Sequence, residues 1–235
     1  MFLSIALIIF FILALPLTTK TDFEMLNRRN FITTSLVAGS LGLISSNQAM
    51  ASRADNGKDA LIPDYDLPPA HRPRIVSIND GFAPWEVHVD PNKYFMYWTM
   101  PDNRAIRYVT GVGRDDLYHP GEFRIGVKKE WPRWTPSPAM LQREPELYNK
   151  FRNGMPGGLD NPLGARAMYL YTKSGRDSLL RLHGTNNPRT IGGAVSNGCA
   201  RLVNTQIVEL FEKVKVGTRV VLNPKIGGPA PHSPI

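Results

Sequence analysis

Short apolar runs between turn residues are the feature of this chain that most constrains its fold. Four such runs follow one another, separated by the tripeptides Asn-Asp-Gly, Asp-Pro-Asn and Pro-Asp-Asn. Short runs of this kind favour strands, and the turn residues between them favour reversals of the chain. The sequence therefore predicts a meander of antiparallel strands. These strands are residues 74–78, 86–89, 93–100 and 105–112.

The C-terminal part adds three strand-like runs and one helix. Apolar residues recur at helical spacing over residues 205–215, where Asn204 is a candidate N-cap and Gly217 a candidate end. The three strands are predicted at residues 167–172, 178–183 and 218–222. The 20 prolines and 20 glycines among 235 residues fit a β-rich design with many turns.

Residues 121–162 differ from the rest because they contain Trp131, Trp134 and many prolines without sustained periodicity. A loop of this length is uncommon in a compact domain unless it is functional. We predict a long loop or flap that forms one wall of a substrate groove. The alternative is that the two tryptophans only cover the edge of the core.

The N-terminal residues 1–51 resemble targeting sequence rather than part of the fold. Arg28 and Arg29 precede a mildly apolar stretch that ends in Ala-Met-Ala at residues 49–51, so residues 25–51 resemble a twin-arginine export signal with cleavage after Ala51. Residues 2–17 are apolar but shorter than the roughly 20 residues that span a bilayer. Either Met25 is the true start, or these residues form a membrane anchor.

Three regions follow the targeting region. Residues 52–73 are predicted to be an extended leader, residues 74–223 the domain and residues 224–235 a flexible tail. The chain carries a formal net charge of +8, and it remains basic without the targeting region. A basic surface suits an anionic polymer such as nucleic acid, a membrane surface or the bacterial wall. The export signal disfavours nucleic acid.

Cys199 is the single cysteine, so no disulfide within the chain is available. One cysteine and five scattered histidines do not make a structural zinc site, and no metal is expected. His183 ends a predicted strand, and Cys199 lies sixteen residues later, ahead of the predicted helix. A thiol with a pKa of about 8.5 becomes reactive beside an imidazole, a cation or a helix N-terminus. The pair is a candidate nucleophile and base, and a small buried cysteine is the alternative.

The residues that flank Cys199 are small. Gly198 and Ala200 leave room for a carbonyl group to approach the sulfur. The backbone N–H groups of Gly198 and Cys199 could then form an oxyanion hole, which stabilises the negative charge of a tetrahedral intermediate.

Two segments of the chain, residues 182–186 and 196–202, closely resemble the signature of the L,D-transpeptidase catalytic domain, also called the YkuD domain. Four further segments look like that family and occur in its order. They are residues 121–126, 131–136, 161–167 and 216–218. The resemblance covers roughly residues 74–222, essentially the whole domain.

This resemblance implies a mainly β, β-sandwich-like L,D-transpeptidase catalytic domain with one or two short helices and a long loop or flap. It also implies that Cys199 attacks the peptidoglycan stem peptide between a diamino acid at position three and D-alanine at position four, with His183 as general base. An amine of a neighbouring stem would then resolve the thioester into a 3-3 cross-link. No metal or organic cofactor is implied.

The resemblance also gives roles to neighbouring residues. The carbonyl of Gly184 would orient the imidazole, and Arg201 would bind substrate or favour the thiolate, with a loop-stabilising salt bridge as its alternative. Ser196 would shape the loop, and Thr185 belongs to the same set of supporting residues. Asn197 departs from the family pattern, because many members have histidine there.

Several functions remain open from the sequence. With water as the acceptor, the same site would make an L,D-carboxypeptidase. With the N-terminus of an outer-membrane protein as the acceptor, it would attach that protein to peptidoglycan. A non-catalytic wall-binding protein is the alternative from a different class. The expected location is the periplasm or cell envelope.

Overall fold

The computed structural model describes residues 57–226, and a mainly β fold is confirmed in them. Eleven strands and three α-helices form in this part of the chain. The strands are β1 (Arg74–Ser77), β2 (Val87–Asp90), β3 (Phe95–Met100), β4 (Arg104–Val109), β5 (Val112–Gly113), β6 (Gly121–Glu130), β7 (Arg166–Tyr171), β8 (Asp177–His183), β9 (Ala194–Ser196), β10 (Ala200–Arg201) and β11 (Arg219–Leu222). The helices are α1 (Pro138–Arg143), α2 (Pro145–Tyr148) and α3 (Asn204–Lys213).

Nine of the strands form one mixed sheet in the order β1-β4-β3-β2-β11-β6-β7-β8-β10, and β5 and β9 form a separate parallel pair. Strands β2, β3 and β4 make the predicted antiparallel meander, and β1 joins it through β4. The parallel pair of β11 and β2 connects the meander to the second half of the sheet. Strand β10 closes the far edge, parallel to β8.

Both halves of the sheet and α3 contribute to one buried cluster. Trp98 of β3 and Leu182 of β8 belong to this cluster together with Ile207 and Leu210 of α3. Because β3 and β8 lie far apart in the strand order, the sheet must curl around its core for these side chains to share it. This arrangement agrees with the predicted sandwich-like packing.

The predicted long loop begins later than the sequence indicates. Residues 121–130 form strand β6 between β11 and β7, so the prediction of a loop over this part was wrong. Phe123 and Ile125 are buried in an alternating pattern that charged neighbours obscure in the sequence. The segment that we call the flap therefore comprises residues 131–165, and it contains the two short helices α1 and α2.

Helix α3 is close to its prediction, but its ends differ. Val203 occupies the N-cap position without a side-chain hydrogen bond, so the prediction that Asn204 caps the helix was wrong. The helix ends at Lys213 and Val214 is extended, whereas Gly217 has a φ of 90° in the turn that leads into β11. That left-handed conformation favours glycine.

The described part of the predicted leader, residues 57–73, contacts the domain. It contains two 3-10 turns, Lys58–Leu61 and Pro69–His71. Leu67 is buried in a second, smaller cluster with Val109, Ile191 and Val203. No helix within residues 57–226 has the length and apolarity needed to cross a membrane. The predictions for residues 1–51 lie outside the described residues.

Candidate active site

The parallel pairing of β8 and β10 brings the two predicted reactive residues to neighbouring strands. Arg201 pairs with His183 and Ala200 with Leu182, and Cys199 immediately precedes β10. Ala200 and Leu182 lie in the core. Because side chains alternate along a strand, Arg201 and His183 share the opposite face. The Arg201 charge acts on both the His183 ring and the Cys199 thiol. The fold therefore brings Cys199 and His183 to the same edge of the sheet, with Arg201 in the electrostatic surroundings of both.

The His183 imidazole is buried and held by a backbone carbonyl. Its Nδ1 lies 2.7 Å from the Gly184 carbonyl oxygen. Burial lowers the pKa of His183 to about 3; the Arg201 charge lowers it too, and the Gly184 hydrogen bond acts in the opposite direction. The ring is therefore neutral near pH 7. A neutral ring that donates from Nδ1 carries its basic lone pair on Nε2, the atom that can accept a proton.

The Cys199 thiol is partly exposed and protonated at rest. Burial raises its pKa, while the backbone hydrogen bond from Arg181 and the charges of Arg181 and Arg201 act in the opposite direction. Within residues 57–226, Cys199 makes no hydrogen bond to the His183 ring. The resting pair is thus a neutral thiol and a neutral imidazole, and catalytic hydrogen bonds often tighten only when substrate binds.

Arg201 lies beside this pair with unused hydrogen-bonding capacity. The residue is 9% exposed, and its Nε and Nη2 atoms have no partner among the described residues. Gly111 leaves room for the guanidinium because it has no side chain, and a Cβ at this position would lie 2.8 Å from Nη2. No ion pair of Arg201 exists within residues 57–226, so the salt-bridge alternative has no partner there. A buried guanidinium of this kind is suited to bind an anion.

The loop before Cys199 is shaped by Ser196 and Gly198. The Ser196 hydroxyl donates to the Cys199 carbonyl at 2.6 Å and accepts from the Gly198 N–H at 3.3 Å. Gly198 has a φ of 118°, and a Cβ there would lie 2.7 Å from the Leu117 carbonyl oxygen. Because the Gly198 N–H is engaged, it would have to leave Ser196 to serve in an oxyanion hole. The Cys199 N–H is the other expected donor.

Asn204 organises the loop that follows His183. Its Oδ1 accepts from the Ala165 N–H at 3.0 Å and from the Thr185 N–H at 3.2 Å. A Cβ at Gly184 would lie 2.2 Å from the same oxygen, so the loop needs glycine there. The Thr185 hydroxyl in turn accepts from the Asn187 N–H at 2.9 Å. Sequence reasoning missed this role of Asn204, and its position at a helix start suggested a cap instead.

The flap contacts residues 197–199, which we call the Cys199 loop, through Asn197. The Asn197 amide donates to the Tyr148 hydroxyl at 2.9 Å and accepts from Arg143. Glu144 binds both Arg143 and Arg114, so two guanidinium groups share one carboxylate next to the loop. Tyr148, Arg143 and Glu144 come from the aperiodic flap, and no sequence signal connects them with Asn197. Together with Arg114, which lies outside the flap, they give this side of the site a net positive charge.

The domain that carries these residues matches a known family. Residues 84–222 match the model of the L,D-transpeptidase catalytic domain, YkuD. This match covers more than half of the chain, and the protein therefore belongs to that family.

Individual relatives carry related names. A putative L,D-transpeptidase in the ATP synthase subunits region, ORF 5, of Fuscovulum blasticum is 42% identical over 125 residues, which cover 53% of this chain and 61% of the relative. Putative L,D-transpeptidase YqjB of Bacillus subtilis is 37% identical over 116 residues, which cover 49% of this chain and 57% of the relative. The chain thus spans about three fifths of the length of these two relatives.

A solved structure adds a different name. A crystal structure from Brucella melitensis, described as a probable carnitine operon oxidoreductase caia, is 38% identical, with 73% of this chain and 99% of that chain covered and a TM-score of 0.46. A TM-score of this size is too low to support a conclusion about function.

Proposed function

We propose that the protein is a peptidoglycan L,D-transpeptidase that acts through a thioester on Cys199. The observation that carries this proposal is the pairing of β8 and β10, which brings Cys199, the residue before β10, and the neutral His183 imidazole to the same sheet edge around Arg201. The family match supports the same reaction class. The Gly184 carbonyl accounts for the orientation of the imidazole without a carboxylate partner.

The first half-reaction forms the thioester. His183 Nε2 takes the thiol proton as the sulfur attacks the carbonyl of the diamino acid at position three. The bond to D-alanine breaks, and the imidazolium returns its proton to the departing D-alanine amine. Arg201 favours the charge separation of this step, because its guanidinium lies beside the developing thiolate without an anionic partner of its own.

The second half-reaction transfers the acyl group. The side-chain amine of a neighbouring stem attacks the thioester, His183 accepts the amine proton, and the thiol is regenerated with a 3-3 cross-link as the product. With water as the acceptor, the same steps give a trimmed tripeptide. A protein N-terminus is the third acceptor that we consider, and a non-catalytic wall-binding protein is the reading least consistent with a thiol and base at one edge of the sheet.

The location and the chain organisation are part of the proposal. We place the protein in the periplasm or cell envelope, exported through a twin-arginine-like signal at residues 25–51, with the apolar residues 2–17 as an alternative anchor. The domain would comprise residues 74–223, preceded by a leader at 52–73. Replacing Arg28 and Arg29 by lysine should block export, and normal export of the variant would refute this signal.

Mass spectrometry of disaccharide-tetrapeptide, incubated with the exported protein and with Cys199→Ala as control, tests the reaction. A dimer joined 3-3 with loss of D-alanine, absent in the control, supports the transpeptidase. Tripeptide alone would make the protein a carboxypeptidase. If the substrate stays unchanged, acylation of Cys199 by a carbapenem separates a protein-attaching enzyme, which forms the adduct, from a wall-binding protein, which does not.

A further inference from the structure

Asp59, in the leader, makes a two-pronged contact with the domain. Its Oδ1 accepts from Arg166 Nη1 at 2.9 Å, and its Oδ2 pairs with Arg166 Nη2. Arg166 is 3% exposed, so a buried positive charge depends on this carboxylate. The Glu130 carboxylate lies 4.0 Å from Arg166 Nη2, too far for a hydrogen bond. Asp59 is therefore the close counter-charge of Arg166.

Arg166 is connected to the imidazole through backbone groups. It is the first residue of β7, and its carbonyl accepts from the Gly184 N–H at 3.0 Å. The Gly184 carbonyl lies 2.7 Å from His183 Nδ1. A single residue, Gly184, thus lies between the residue that Asp59 fixes and the hydrogen bond that orients the ring.

Asp59 also fixes the start of the flap. The Trp131 indole N–H donates to Asp59 Oδ1 at 3.0 Å, and the neighbouring Lys58 ammonium donates to the Gly157 carbonyl at 3.3 Å. The backbone N–H of Trp131 donates to the carbonyl of Ala165 at 2.7 Å, and Ala165 directly precedes Arg166. Asp59 therefore binds Trp131, the first residue of the flap, and Arg166, the residue that follows the flap.

We propose that Asp59 is a positioning residue for His183, acting through Arg166 and Gly184. The inference rests on the proposed function, because it matters to turnover only if His183 is the base. Asp59 lies outside the residues 84–222 that match the family model. The leader thus completes the site, and the working unit begins before the matched domain.

The test uses three variants of the exported protein. Asp59→Asn keeps the shape and removes the charge, and Asp59→Glu restores the charge. Asp66→Asn is the matched control, since Asp66 lies in the same leader, is exposed and, within residues 57–226, pairs only with Arg72. Three quantities are measured: kcat and KM on disaccharide-tetrapeptide, the imidazole ¹⁵N signals of His183, assigned by comparison with His183→Gln, and the thermal midpoint.

We expect Asp59→Asn to lower kcat about 10- to 100-fold with KM changed less than about twofold, since misplacement of a catalytic group slows the chemical step. The ¹⁵N signals should move from a single Nδ1–H tautomer towards a mixture. Asp59→Glu should recover most of both properties, and Asp66→Asn should match the wild type. A folded Asp59→Asn protein with wild-type kcat and a pure Nδ1–H tautomer would overturn the proposal.

Two further results keep the test decisive. If Asp59→Asn does not fold, Arg166→Lys keeps the buried charge but loses the two-pronged contact, and it must shift the tautomer in the same direction. An unshifted tautomer in that variant would overturn the proposal. If the wild type itself has no turnover, the proposed reaction fails, and the tautomer signal alone decides whether Asp59 positions the ring.

Discussion

The β8–β10 edge and the flap meet at the Cys199 loop, but different interactions hold them in place. Strands β8 and β10 are set by ladder pairing and by core side chains such as Leu182 and Ala200. The flap is held by polar side chains that bind backbone groups, above all Asn161, whose amide donates to the Pro132 and Pro156 carbonyls at 3.0 and 2.9 Å. The edge should therefore stay folded when a polar side chain in it is replaced. The stability of the flap, in contrast, should depend on single polar side chains.

The largest expected effect tests the edge. His183→Gln removes the base while a polar side chain still fills the site, and the rate of acyl transfer should fall about 10²- to 10⁴-fold. Initial rates by mass spectrometry measure this loss, and the protein should remain folded. His88→Gln is the control, because His88 is also a buried histidine of the sheet, bound to Glu86 at 2.9 Å. A rate within tenfold of the wild type would exclude His183 as the base.

The next effect tests the flap. Asn161 is 1% exposed, and it also accepts from the Leu163 N–H at 2.8 Å through its Oδ1. Asn161→Ala leaves several buried backbone groups unpaired and should cost roughly 2–4 kcal/mol of unfolding free energy. Urea unfolding measures this difference. The control is Asn186→Ala, whose exposed amide makes one bond, to the Asp160 carbonyl at 2.9 Å, and should cost less than about 1 kcal/mol. Equal losses in the two variants would contradict this account of the flap.

The same contrast explains how much the sequence could predict. Apolar spacing reports which side chains face the core, and for this reason the meander strands, β7, β8, β11 and the helix α3 were predictable. The motif resemblance indicated Cys199 and His183, and the pairing of β8 and β10 brings them to the same edge of the sheet. Polar contacts between distant segments have no local pattern, so the partners of Asn197 and the link from Asp59 to Arg166 were not predictable. Strand β6 was missed because charged residues hide its alternation.

A third effect concerns stability at acidic pH. The pKa of His183 is near 3 in the folded protein, against about 6.5 in the unfolded chain. Between these values the unfolded state binds more protons, so stability is complete above pH 6.5 and falls as the pH falls towards 3. Between pH 7 and pH 5 the expected loss is about 2 kcal/mol from this residue.

Urea unfolding of the wild type and of His183→Gln at pH 7 and pH 5 measures this term. The variant should lose less stability on acidification, although not none, because burial also lowers the pKa of His88. The same pH dependence in both proteins would show that His183 is not a buried neutral base. This result would weaken the distinction between the edge and the flap, since the edge would then lack its preset proton acceptor.

The smallest effect tests the contact between the two regions. Tyr148→Phe removes only the hydroxyl that accepts from the Asn197 amide, at a cost of about 0.5–1.5 kcal/mol. Because the flap then loses one of its two contacts with Asn197, proteolysis within residues 138–148 should become faster, while alkylation of Cys199 by iodoacetamide changes little. Tyr97→Phe, in β3 and away from the flap, serves as the control. A large change in Cys199 alkylation without faster proteolysis would mean that Tyr148 acts on the thiol itself rather than on the flap.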